Sequence, residues 1–157
     1  MKNFASEIAL KYETTDAFEL AKKNGVIIVK EPLGNIHGYY NTVDKVRFIH
    51  INENLPDRYQ NYIVAHLMYA HLTNADYMFL KRKRGMRFTD SEIKANAFAL
   101  YFSCPKDELT VQDLFNVFDY SQSDIDNLLD RLYCTWDKDF TLTPDELLKH
   151  VVFHALS

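Results

Sequence analysis

Six histidines and one well-placed glutamate hold most of the chemistry this sequence could offer, and their spacing decides how much of it is available. His66 and His71 stand in a stretch, residues 59–79, that has neither proline nor glycine and is long enough for about five helical turns. A helix grips zinc with histidines at i and i+4. A glutamate directly after the first histidine then serves as the base for a zinc-bound water, giving the pattern H-E-x-x-H. Here the window from His66 reads HLMYAH. Leu67 occupies the glutamate position, Ala70 occupies the second histidine position, and His71 comes one residue late. Residues four apart on a helix differ by about 40° in projection, and residues five apart by about 140°. His66 and His71 therefore face different ways, and the spacing predicts a buried or half-buried His66 with no ion shared between them. His150 and His154 do have i, i+4 spacing, but the sequence places no complete ligand set with them, so they read as ordinary core or surface histidines. His37, between Gly34 and Gly38, reads as a surface histidine in a turn.

The elements that must position these groups follow from periodicity. Phe4, Ile8 and Tyr12 recur every four residues and predict a short helix over 3–12. A second helical stretch covers 15–24, with Thr15 as candidate cap and Asn24-Gly25 as its stop. The β-branched run 26–29 predicts a strand, and 38–42 and 46–52 predict two more joined by a turn at 43–45. Together they make a small, mostly antiparallel sheet of three strands. Pro56 and Asp57 open the long histidine helix, which is expected to run past Phe79 into Lys81, Arg82, Lys83 and Arg84 and to end at Gly85. Those cations, with Arg87 beyond them, are the candidate binding patch for phosphates or an acidic partner. They read first as a solvated helix end. Thr89 and Glu92 have capping-box spacing ahead of the next helix, which ends before Pro105 and whose Ala95, Ala97 and Ala99 allow close approach. Beyond Pro105, residues 106–119 and 123–133 predict two short helices, with Leu109-Thr110 preceding the first, and Thr143-Pro144 opens a last one. The expected organisation is an α+β core over 1–105, with its sheet packed on a long central helix, and a helical extension over 106–157.

Bulk properties narrow the classes. A chain of 157 residues with 47% hydrophobic and 25% charged residues is an ordinary globular domain with a real core. A net charge of −4, with Asp124 and Asp126 at the start of the second short helix, argues against a nucleic-acid partner. Cys104 and Cys134 show no paired spacing and suit buried thiols in a reducing compartment. No apolar run is long enough for a membrane span and no leader is apparent, so a cytoplasmic location is expected. Ten tyrosines and eleven phenylalanines exceed what a core of this size needs and make a protein-contact surface plausible.

The order of elements, the approach Tyr62-Ile63-Val64-Ala65-His66, and the segment EIKANAFA from Glu92 to Ala99 followed by Pro105 together resemble the ImmA/IrrE family of metallopeptidase-like proteins. The resemblance covers roughly residues 10–110, and the paired helices after Pro105 fit the family's usual extension. It implies a zincin-like fold in which His66 matches the first zinc ligand and Glu92 the third. Leu67 then replaces the general base and Ala70 the second ligand. A zinc peptidase needs three protein ligands, a bound water and a carboxylate to take its proton. The chain is thus read as a degenerate member with no cofactor, zinc being the alternative. The resemblance further implies a bacterial or phage-borne regulator, such as an antirepressor, acting on a protein partner, for example an Xre-type repressor. Two other readings stay open. One is an active zinc hydrolase with ligands rearranged to include His71, His37 or His50. The other is a nucleic-acid-binding regulator using the basic cluster, although the charge balance weighs against it. A mobile-element remnant with no present activity fits the sequence as well.

Overall fold

The computed structural model describes residues 1–81, 90–106, 108–110, 113, 123 and 141–143. In chain order these form α1 (Lys2–Tyr12), α2 (Ala17–Lys23), β1 (Ile27–Glu31), β2 (Ile36–Val43), β3 (Val46–Asn52), α3 (Asp57–Leu72), β4 (Tyr77–Lys81) and α4 (Asp90–Ser103). Two short strands follow, β5 (Leu109–Thr110) and β6 (Thr141–Leu142). The α+β class holds. The sheet, however, is four-stranded and mixed, in the order β1-β3-β2-β4, and not a three-stranded, mostly antiparallel one. β1 runs parallel to β3, with Ile28 opposite Ile49 and Lys30 opposite Ile51. β2 pairs antiparallel with β3 on one side and with β4 on the other.

Local chemistry explains most boundaries. Asp16, rather than Thr15, caps α2 by accepting from the amides of Phe18 and Glu19. Gly25 then takes the left-handed conformation (φ 68°) that lets the Val26 amide reach back to the Ala21 carbonyl and close the helix end. Asp44 and Lys45, both at positive φ, make the tight turn between β2 and β3.

The largest correction concerns the histidine helix. It is 16 residues long and stops at Leu72 instead of continuing through Phe79 to Arg84. Asn74 adopts φ 57°, its amide donates to the His71 carbonyl, and the Ala75 amide donates to the Ala70 carbonyl. That is the same left-handed closure as at Gly25, supplied by an asparagine. The chain released there returns as β4, pairing Met78 with Tyr40 and Leu80 with Gly38. Lys81 is therefore a strand residue; Arg82, Lys83, Arg84 and Arg87 lie outside the described residues, as do Thr89, Cys134, His150 and His154. Of the expected C-terminal helices, the start of the first is replaced by strand: Leu109 pairs with Leu142 and Thr110 with Thr141. Asp113 follows as a cap, accepting from the Thr110 amide and hydroxyl. Most of 106–157 lies outside the described residues.

α3 is buried nearly all round, as expected of a helix with apolar residues on every side. One side meets the sheet through Ile63 and Leu67, and α4 packs against α3 and α1 with Phe4, Tyr69 and Phe98 in mutual ring contact. The small side chains of Ala95, Ala97 and Ala99 are all buried in α4. The sheet's other face stays open at Ile27, Val43, Val46 and Tyr77, which are 41–62% exposed.

Candidate functional site

α3 and α4 bring their motif residues together. His66 is fully buried, and its Nδ1–H donates to Asn96 Oδ1 at 2.8 Å. The Tyr62 hydroxyl donates to the same oxygen at 3.2 Å. An amide oxygen can only accept, so the ring proton sits on Nδ1 and the lone pair on Nε2. That Nε2 has no hydrogen-bond partner. Burial pushes the His66 pKa down to about 4, against smaller upward pulls from the Asn96 hydrogen bond and the Glu92 carboxylate. His66 is accordingly a neutral imidazole at physiological pH. Glu92 is buried four residues before Asn96, on the same side of α4.

Sequence reading missed Asn96 as a partner, although the i, i+4 relation of Glu92 and Asn96 was available to find it. It also missed what happens at position 67. Leu67 is fully buried, and its Cδ1 lies 2.9 Å from where a Cβ on Gly38 would be. The His50 carbonyl lies 2.7 Å from the same point. The leucine at the general-base position is thus core, wedged against a strand that can admit it only because residue 38 has no side chain. Ala70 is likewise fully buried and offers no donor atom.

The other histidines separate as follows. His71 turns away from His66, as its spacing predicts. Its Nδ1 accepts from Arg47 Nη1 at 2.9 Å and its Nε2–H donates to Asn24 Oδ1 at 3.2 Å, tying α3 to β3 and to the end of α2. Burial and the Arg47 charge both lower its pKa. His50 lies on the sheet's outer face, stacked on Tyr39 with ring centroids 4.3 Å apart, and donates from Nδ1 to Glu31 at 2.7 Å. Burial and the Glu31 carboxylate raise the Tyr39 pKa. His37 is not a surface turn residue. It sits in β2 at the bulge between Ile36 and Gly38, where the register with β4 skips it. Half-buried, it makes a 3.2 Å hydrogen bond with the Tyr59 hydroxyl, and its charge is felt at His66. Cys104 is a buried, free thiol whose pKa burial raises.

The site thus joins His66 on α3 to Asn96 on α4, with Glu92 one turn away on α4 and the mixed sheet on the other side of α3. The model of the peptidase M78 family, the IrrE N-terminal-like domain, matches residues 21–131. The chain belongs to that family. Comparison with curated proteins and with solved structures yields no match. The metallopeptidase fold is thereby established. The zinc that the family's chemistry implies does not fit the donors present. Zinc requires three protein ligands, and Ala70, at the position of the second in the family motif, supplies none. Among the described residues, no three histidine, cysteine, aspartate or glutamate side chains converge closely enough to hold an ion. Also among the described residues, no helix is long and apolar enough to cross a membrane.

Proposed function

We propose that this IrrE-like chain is a non-catalytic member of its family that works by binding another protein. The observation that carries the reading is Leu67. A peptidase of this type needs a carboxylate there that can reach a metal-bound water, whereas this side chain is packed against Gly38 in the core. The donor-free Ala70 points the same way. The surface available for contact includes the open sheet face, where Ile27, Val43, Val46 and Tyr77 are exposed around the Tyr39–His50 stack. Charge-poor surface with aromatic anchors is the kind that protein interfaces use. By the family resemblance the partner is a regulatory protein such as an Xre-type repressor, and the chain acts as an antirepressor-like regulator in the bacterial cytoplasm.

The test is capture of a partner from the native host, followed by incubation of the purified pair. The reading expects a stable complex, no cleavage of the partner, and binding unchanged in His66→Ala once that variant is shown to fold. Cleavage of the partner, abolished by His66→Ala or Glu92→Gln, would establish instead the second reading, a hydrolase with rearranged ligands. The bulged His37 near His66 is the feature that favours that second reading.

A further inference from the structure

A bare strand edge is a liability that proteins ordinarily cover or guard with charge. β1 is bare on the side away from β3. We infer that this edge is a self-pairing surface: two copies of the chain join through antiparallel β1 strands, about a two-fold axis that passes between their Val29 residues. Such pairing is independent of what the His66 site does.

Three observations carry it. First, the edge groups are free. β1 lies at the end of the sheet, with β3 on one side and, among the described residues, no strand on the other. The Glu31 carbonyl accepts from the Glu53 amide just beyond β3, at 3.0 Å, so Glu31 turns its main chain toward β3. Alternation along the strand then turns the amides and carbonyls of Ile28 and Lys30 outward. No hydrogen bond reaches those groups among the described residues. Second, the charges that could guard this edge are drawn away from it. Lys30 holds its ammonium over the Phe18 ring of α2, 5.1 Å from the centroid, and Glu31 accepts from His50 on β3 at 2.7 Å. What remains along the edge is Ile27, 47% exposed, with Ile28 and Val29 half-buried. Third, the residue order of β1 fits itself in one register. The Val26 amide is already given to the Ala21 carbonyl, and Pro32 has none, so the outward groups of Ile28 and Lys30 are those a further strand can use. A two-fold axis at Val29 sets Ile28 against Lys30 of the second copy, and such a pair exchanges both of its bonds. The isoleucine then packs on the aliphatic stem of the lysine. An axis at Lys30 would instead set ammonium against ammonium, and Ile28 against the donor-free Pro32. An axis at Ile28 would set Lys30 against Val26, whose amide is occupied. The strand that complements this edge is therefore the same strand running the other way.

Sedimentation velocity on the full chain, from about 10 μM to about 1 mM, covers the range in which small interfaces associate. The expected result is a concentration-dependent equilibrium of monomer and dimer. Lys30→Pro removes an outward amide and leaves the ladder to β3 intact, since edge positions accept proline. It should weaken association at least about tenfold, whereas Lys30→Ala, which keeps the amide, should not. Under air oxidation Val29→Cys should cross-link two chains. A non-hydrogen-bonded antiparallel pair holds its Cα atoms about 4.5 Å apart, within the disulfide range of about 4.4–6.8 Å. Ile27→Cys, at the more exposed position, should not exceed the parent, whose Cys104 and Cys134 set the background. Peptide mass spectrometry assigns the bond. A parent that stays monomeric throughout the range overturns the inference. So does a folded Lys30→Pro that dimerises like the parent, or cross-linking at position 27 that equals that at 29. Should Lys30→Pro fail to fold by circular dichroism, the two cysteine variants decide on the same terms.

Discussion

Position 67 offers the sharpest test of whether this chain has a closed core where a relative would have a working cleft. Leu67 is fully buried between α3 and β2. Truncation to alanine removes a core side chain, and such changes cost about 2–5 kcal/mol. Replacement by glutamate, which restores the residue type of the family motif, probes more. In a cleft open to water, the carboxylate would ionise normally and cost little. In the packed position described here, desolvation raises its pKa above the ordinary value of about 4.3. Each unit of that rise costs about 1.4 kcal/mol at neutral pH, so a shift of roughly two to three units gives about 3–4 kcal/mol, with lost packing in addition. The sign follows from linkage. The folded state of Leu67→Glu binds its proton more tightly than the unfolded state does. The penalty relative to the parent is therefore smallest below about pH 4 and grows as pH rises toward the folded-state pKa. Urea unfolding followed by circular dichroism from pH 4 to 8, parent against variant, measures this difference directly. A Leu67→Glu protein as stable as the parent at pH 7, with a flat difference across the range, would show that position 67 faces water and would refute the argument from Leu67.

Further expectations follow from the same geometry. Gly38→Ala places a Cβ 2.7 Å from the His50 carbonyl and 2.9 Å from Leu67 Cδ1, and should destabilise by about 1–3 kcal/mol. Combining it with Leu67→Ala relieves only the second contact, so a double variant that behaves as Leu67→Ala alone would be contrary to the packing described. His66, with a folded-state pKa of about 4 against an ordinary 6.5, contributes stability that is complete above pH 6.5. That stability is lost as pH falls toward 4, to the extent of about 3 kcal/mol. The parent should therefore weaken over that window more steeply than His66→Ala, and parallel slopes would contradict it. Arg47→Met should raise the His71 pKa, read by NMR titration of the ring, because it removes a cation bonded to Nδ1. An unchanged midpoint would mean that burial accounts for the whole depression.

The parts of the fold legible in sequence were those with a local cause. Asn24-Gly25 announced the end of α2, Pro56-Asp57 the start of α3, and the alternation of 46–52 the strand β3. Two features depend on distant partners and could not be read that way. Parallel pairing of β1 with β3 is decided by where the chain returns, and nothing in the five residues of β1 specifies it. The division of 59–81 into helix and strand was hidden because no glycine or proline marks it. Asn74 makes the left-handed stop, and the short apolar run Tyr77-Met78-Phe79-Leu80, which by itself suits a buried helix as well as a strand, does not announce the change. At the site, H-E-x-x-H arithmetic correctly separated His66 from His71. It could not show that Leu67 fills the space above Gly38, which is a contact between residues 29 positions apart.

The polar remnant at the centre bears on why the scaffold is built as it is. Stability alone would favour an apolar residue at 66, since an imidazole buried with an orphaned Nε2, beside an Asn96 whose amide nitrogen is also unpartnered, costs about 1–3 kcal/mol per unsatisfied atom. The chain offsets that with dense packing around it: Tyr62, Ile63, Leu67, Phe98 and Phe102 are all essentially fully buried. Leucine at 67 fills the core against Gly38 and stabilises, whereas alanine at 70, equally buried, adds packing of smaller size.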